Sequence, residues 1–208
     1  MKTDPVVLLF HPQELILRGL TACLKTTSVK VSQIVLNEKD FITALKQSKP
    51  DVVLIADRLP NIDGVETSKQ AIARNIPAIL ISPEFTPTRM AQAACVGVAN
   101  FISEGISASG LAEAIKRAAL LKALTPSSSY GQIIATMQDR SVLPYKGLTE
   151  RESQVVRHIA LALSNVEIAK SLGLSVETVK EHVQNIFRKL EMPDRTMVAV
   201  WATRLGLV

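Results

Sequence analysis

Five polar side chains, Glu177, Lys180, Glu181, Gln184 and Arg188, recur at three- and four-residue spacing close to the C-terminal end of the sequence. Among them stand Val176, Val179, Val183, Ile186, Phe187 and Leu190, which together make one apolar face of a helix. The polar set then lies opposite the core, free to enter a major groove. Lysine and glutamine read base edges, and arginine also holds phosphate. The same pattern equally suits a plainly solvated helix face, and periodicity does not choose between the two. Other reactive types are sparse. Cys23 and Cys95 are too few for a disulfide framework or a zinc site, and each falls in a helical apolar pattern that predicts a buried, inert thiol. His11 beside Pro12 reads as a loop residue rather than a metal ligand or phosphate carrier, and His158 as a core-edge residue. No metal, cofactor or catalytic centre is expected.

The elements that would position the polar face are legible on either side of it. Thr149 with Glu152 three residues later forms a capping box ahead of Val155, Val156, Ile159 and Ala160. Ser164 with Glu167 repeats the device for a short helix predicted to bury Val166, Ile168, Ala169 and Leu172. Gly173 permits a tight turn, and Ser175 caps a third helix running to about Leu190. Pro193-Asp194 ends it and caps a fourth, with Val198, Trp201, Ala202 and Leu205 apolar and Gly206 at its end. A short helix, a glycine turn and a longer capped helix are the parts of a helix-turn-helix unit.

The earlier part of the chain has another rhythm. Apolar runs at Val6–Phe10, Val31–Leu36, Val52–Ala56, Ala78–Ser82 and Asn100–Ser103 are separated by helical patterns at Glu14–Lys25, Lys39–Lys49, Val65–Asn75 and Thr88–Cys95, and Ala108–Lys122 follows the last. Continuous apolar strands between amphipathic helices predict a parallel sheet covered on both faces, a doubly wound, flavodoxin-like sandwich. Residues 1–122 form this α/β domain, 123–146 a linker with one short helix, and 147–208 an all-α domain. The net charge of +5 invites a nucleic-acid partner, but from Gly147 onward eight lysines and arginines face seven acids, so charge alone does not make that case. No apolar run is long enough to cross a membrane, and a cytoplasmic protein is expected.

Leu148-Thr149-Glu150-Arg151-Glu152, Leu163-Ser164-Asn165, Glu167-Ile168-Ala169, Leu174-Ser175, Thr178-Val179-Lys180, His182 and Asn185-Ile186 with Arg188-Lys189-Leu190 resemble the LuxR/NarL-type DNA-binding domain. The resemblance implies four helices, the third in the major groove. Positions matching Lys180, Glu181 and Gln184 would approach bases, and those matching Asn165, Ser175, Thr178 and Arg188 would lie near phosphates. Glu181 repels phosphate and favours only a cytosine amino group, so Lys180 and Gln184 lead. The last helix, 194–205, is similar to the family's dimerisation helix.

Pro50-Asp51-Val52-Val53-Leu54-Ile55, then Leu59-Pro60 and Asp63-Gly64, with Gly97–Ile102 and Ala112-Glu113-Ala114-Ile115, resemble the receiver domain of two-component response regulators, which implies strand order 2-1-3-4-5. A working receiver needs an acceptor aspartate, an acidic pair for magnesium, a hydroxyl and a lysine, because phosphoryl transfer between anions requires cations. Counting along the resemblance places Ala56 at the acceptor, His11 and Pro12 at the acidic pair, and Glu104 at the lysine; only Ser82 remains, at the hydroxyl. Asp57 is the neighbour of Ala56, but strand neighbours point to opposite faces, and Asp57 would still lack the other groups.

The expected protein is therefore a DNA-binding transcription regulator, not an enzyme, with a phosphorylation-independent receiver. It would bind double-stranded DNA as a homodimer through the last helix and the receiver surface of residues 88–122. Ala112, Ile115, Ala119 and Leu120 line an apolar helix face there, mostly needed as core. The alternatives are an interaction protein that pairs with another regulatory protein, or a phosphorelay switch using Asp57.

Overall fold

Branched apolar residues dominate the strand-forming runs, and burying each such side chain contributes about 1.5–3 kcal/mol, so runs of them favour a sheet shielded on both sides. The computed structural model describes residues 4–59, 62–84, 86–121, 128–139, 141, 143 and 147–207. Pro60, Lys122 and, within the expected linker, residues 123–127, 140, 142 and 144–146 lie outside the described residues. In chain order the first elements are β1 (Val6–Phe10), α1 (Glu14–Lys25), β2 (Lys30–Val35), α2 (Glu38–Gln47), β3 (Val52–Ala56), the two-residue strands β4 (Arg58–Leu59) and β5 (Ile62–Asp63), and α3 (Gly64–Ile72). Then come β6 (Ala78–Ser82), α4 (Pro87–Val96), β7 (Asn100–Ser103), α5 (Ala108–Leu121), α6 (Ser129–Gln138), α7 (Glu150–Ala160), α8 (Asn165–Leu172), α9 (Val176–Leu190) and α10 (Arg195–Arg204).

Five parallel strands lie in the order β2-β1-β3-β6-β7, which is 2-1-3-4-5 once the small antiparallel hairpin β4–β5 is set aside. Every residue of β3 and β6 is buried, as the continuous apolar runs require. Val7, Leu9, Leu54, Ile79 and Ile81 pack in one core with Leu17 of α1 and with Leu111 and Ile115 of α5. Asp63 caps α3, its carboxylate accepting from the Val65 and Glu66 amides. Gly64 donates to the Asp57 carbonyl at 2.9 Å. A Cβ on Gly64 would collide with the Ala56 and Asp57 backbone, so only glycine lets α3 start there.

The chain divides into two compact units, the described residues of Met1–Phe85 with Val96–Thr125, and those of Thr86–Cys95 with Pro126–Val208. α4, a helix of the α/β pattern in the sequence, groups (apart from Val96) with the second unit, as does the short helix α6 expected between the domains. α4 buries Met90, Ala91 and Ala93, and the Cys95 thiol lies 3.7 Å from the Glu167 carbonyl of α8. α6 is capped by Ser128 and buries Tyr130, Ile133 and Met137, spaced as one helix face. Burial, with Cys95 close by, pushes the Tyr130 phenol up. Packed against α6, α9 and α10, α7 is buried on all sides from Glu152 to Ile159.

Some burial expectations fail. Cys23 is exposed rather than buried, because the side of α1 that carries it faces away from the sheet. Cys95 is half-buried, and burial pushes its thiol up to about 11. Val166 is 64% exposed, on the outer side of α8 away from Ile168 and Ala169, and Leu205 falls beyond the buried part of α10.

Candidate nucleic-acid interface and the strand-end pocket

Both expected capping boxes form. Thr149 Oγ1 accepts from the Glu152 amide at 3.2 Å, and Ser164 Oγ accepts from the Glu167 amide at 3.3 Å. Each glutamate returns a carboxylate to its cap, 2.7 Å from the Thr149 and Ser164 amides. Gly173 ends α8 in the left-handed region at φ +65°, and Leu174 then donates to the Ala169 carbonyl at 2.9 Å, which closes the turn. Ser175 caps α9 by accepting from Thr178 N–H at 3.0 Å.

α9 buries Val179, Val183, Ile186 and Leu190, and it exposes Glu177, Lys180, Glu181, Gln184 and Arg188. The structure thus brings the predicted base-reading residues Lys180, Glu181 and Gln184 onto one outward face. Lys180 Nζ donates to Glu177 Oε2 at 3.0 Å, and Arg188 donates to Asn185 Oδ1 at 2.8 Å. The hydroxyls of Ser175 and Thr178 lie 2.9 Å apart at the same end of α9. Asn165 is the first residue of α8 and is half-buried beside the Ser164 cap.

Three buried polar groups fix these helices. Lys189 of α9 donates to Glu152 Oε2 of α7 at 2.7 Å. Burial alone would raise the Glu152 carboxyl; the bonds from Lys189 and Thr149 outweigh it and hold the group below the usual glutamate range. Arg157 is buried and pairs with Asp139 at 2.9 Å and with Ser141 Oγ at 2.7 Å, tying the end of α6 to α7. Asp139 is held below the usual range, first by the Ser141 amide and hydroxyl and then by Arg157. His158 is fully buried, not at the core edge, and burial lowers its pKa. Its Nδ1 lies 2.7 Å from the Gln154 carbonyl, which only accepts, so Nδ1 carries the proton and Nε2 accepts from Ser171 Oγ at 2.8 Å.

Sequence reasoning missed Arg195. Its guanidinium donates to Asn165 Oδ1 at 3.1 Å and to the Leu163 carbonyl. A signal was present: a cation in the first turn of a helix opposes the macrodipole, so an arginine directly after the Asp194 cap calls for a partner elsewhere.

In the first unit, His11, Ala56, Ser82 and Glu104 lie at the C-terminal ends of the parallel strands, where doubly wound sheets place their sites. Asp57 follows Ala56, is buried, and donates its amide to the Ile81 carbonyl at 2.8 Å. Pro12 is half-buried. His11 lies in the loop directly after β1 and is buried there: its Nδ1 accepts from the Gln13 amide at 3.0 Å, and its Nε2 faces Glu104 Oε1 at 3.7 Å. With Nδ1 accepting, the proton sits on Nε2 toward the carboxylate. Burial lowers the His11 pKa despite the opposing pull of Glu104. The receiver resemblance had placed both residues at this pocket; their direct pairing was not foreseen.

A five-stranded doubly wound sheet joined to a capped helix-turn-helix unit defines a class, the DNA-binding regulators built on a receiver fold. Residues 7–116 match the response regulator receiver domain, and residues 146–202 match the bacterial regulatory proteins of the luxR family. Over 208 residues the chain is 31% identical to the response regulator protein VraR of Staphylococcus saprophyticus, covering 98% of this chain and 99% of that protein. VraR of Staphylococcus aureus strain NCTC 8325 is 30% identical over 97% of this chain and 98% of its own length. The fold is also that of Salmonella typhimurium RcsB, with TM-score 0.59, 18% identity, and coverage of 97% of this chain and 99% of that one. An RcsB–DNA complex gives TM-score 0.55 at 18% identity, over 96% of this chain and 98% of that one. The chain belongs to the response regulators and is a DNA-binding regulator of the LuxR/NarL type. That family is one of transcription regulators rather than enzymes, and among the described residues no helix is long and apolar enough to cross a membrane.

Proposed function

We propose that this regulator controls transcription in the cytoplasm without being phosphorylated, reading DNA through Lys180 and Gln184 as a homodimer. The observation that carries the reading of DNA is the outward face of α9, where Lys180, Glu181, Gln184 and Arg188 are exposed opposite four buried core residues. Asn165, Ser175, Thr178 and Arg188 flank that face and hold phosphates, while Glu181 restricts which base is accepted. α10 supports pairing of two copies. It buries Val198 and Ala202 on one side, yet Met197 and Val200 on the other are 49% and 42% exposed. Two copies related by a two-fold axis would read half-sites about one helical turn (~34 Å) apart, or a multiple of it. Aspartate at both Met197 and Val200 is expected to leave single half-site binding intact and to abolish the two-copy complex, as sedimentation with a two-half-site duplex would register.

Independence from phosphorylation rests on the strand-end pocket. Magnesium requires oxygen ligands, and the end of β1 supplies an imidazole and a proline, with Glu104 already turned to that imidazole. These residues do not fit the ion. A phosphoryl group would meet the carboxylate of Glu104 and find no lysine to offset its charge. Incubation with a small phosphodonor and magnesium should therefore leave both the intact mass and the affinity for a selected genomic site unchanged. An adduct that disappears in Asp57→Ala would refute this.

A second reading, a protein that acts by pairing with another regulator, draws on Glu177, which occupies Lys180, and on Glu181. Gel shift of the purified chain at two salt concentrations separates the two. A DNA-binding dimer shifts its site alone, with affinity that falls as salt rises; an interaction protein does not.

A further inference from the structure

We propose that Arg195 is a positioning residue for the DNA-backbone contact at Asn165, and so links the helix that pairs two copies to the helix end that meets phosphate. The inference rests on the reading of Asn165 given above. Arg195 is the first residue of α10 and Asn165 the first of α8. One guanidinium nitrogen donates to Asn165 Oδ1 at 3.1 Å and another to the carbonyl of Leu163, immediately before the Ser164 cap. The planar fork therefore grips both sides of the turn that starts α8.

The consequence for Asn165 is directional. An amide offers one oxygen that accepts and one nitrogen that donates two protons. Arg195 only donates, so it can satisfy only the oxygen, and a flipped amide would set donor against donor. The amide N–H groups are left as the outward end of the side chain, the polarity that a phosphate oxygen requires. Burial lowers the Arg195 pKa, and Glu167, whose carboxylate closes the capping box, opposes that by favouring the charged guanidinium. A lysine at 195 loses the fork but still only donates, so it keeps the Asn165 oxygen turned inward. A glutamine presents a carbonyl as well as an amide and accepts either orientation, so Asn165 is then free to flip.

The test uses the full-length chain with Arg195→Lys, Arg195→Gln and Asn165→Ala on duplexes carrying single methylphosphonates, which neutralise one phosphate at a time. In the unaltered protein, one methylphosphonate per half-site is expected to weaken binding about tenfold or more, the effect of losing a hydrogen bond to a charged group. Asn165→Ala should weaken binding to the unmodified duplex by a similar factor and lose sensitivity at that one phosphate. Arg195→Gln should reproduce this loss of sensitivity at that one phosphate, and Arg195→Lys, which can only donate, should retain part of the sensitivity. If Asn165→Ala keeps the unaltered affinity and scan, the phosphate role of Asn165 fails and the proposal with it. If Asn165→Ala loses the contact while Arg195→Lys and Arg195→Gln both keep it, the role of Asn165 stands and the proposal for Arg195 is overturned.

Discussion

Alanine at Lys180 and Gln184 together is expected to reduce specific DNA affinity by a factor of about 10²–10⁴ while leaving the fold intact. Both side chains are exposed on the α9 face opposite the buried Val179, Val183, Ile186 and Leu190, so their removal opens no cavity. Surface truncations of this kind stay within about 0.5 kcal/mol of the original stability. Each good contact to a base edge discriminates by about 1–3 kcal/mol, and two such contacts on one helix combine to the stated factor. The two residues differ in character. Lys180 carries charge, so its loss should also lower the slope of log affinity against log salt by about 0.9, whereas Gln184 should leave the slope alone. Lys180 must first leave Glu177, 3.0 Å away, but that pair is solvent-exposed and opposes the exchange by less than about 1 kcal/mol. Titration of single and double variants against a selected site, and against unrelated duplex, checks the expectation. Equal weakening on both duplexes would mean that these side chains touch only the backbone.

The recognition face was legible because a single amphipathic helix announces its own orientation: six apolar positions at helical spacing decide where the polar ones point. The sheet was legible for a related reason, since β3 and β6 are apolar along their whole length and can exist only between two layers. What the sequence did not carry is anything settled by a distant partner. The receiver resemblance placed His11 and Glu104 in one pocket, but that the imidazole is buried and turned to the carboxylate is settled only by the fold. α4 reads as an ordinary helix of the α/β domain, and the contact of its Cys95 with the Glu167 carbonyl of α8 is one that no local pattern displays. The packing of α6, α9 and α10 against α7 explains His158. On a helix with one free face it would sit at the core edge, but α7 has no free face between Glu152 and Ile159. Val166 fails in the opposite sense, as a valine at helical spacing that points outward beside Asn165.

Glu152→Ala is expected to destabilise the C-terminal unit by about 2–4 kcal/mol and to weaken DNA binding although it touches no DNA. The carboxylate does two jobs with one oxygen: Oε2 accepts from the Thr149 amide and from Lys189 Nζ, both at 2.7 Å. Losing the capping contact costs about 1 kcal/mol. Breaking a buried ion pair costs about 3–5 kcal/mol when the surviving charge stays buried. Here Lys189 is 29% exposed and regains some water, which reduces that second figure. Lys189 is in the last turn of α9, so the pair pins the far end of the recognition helix to α7, and its loss lets α9 swing about the Ser175 end. The pH dependence identifies the carboxylate as the cause. The ordinary glutamate value is 4.5, and Glu152 lies below it in the folded protein. Its contribution is therefore fully present above about pH 4.5 and is lost as pH falls through the depressed folded value, because there the unfolded chain has already taken up the proton. Urea titrations from pH 3 to 7 should show a gap between the original protein and the variant that is constant near neutrality and closes toward pH 3. A gap of equal size across the range would assign the stabilisation to packing of the Glu152 stem rather than to its charge.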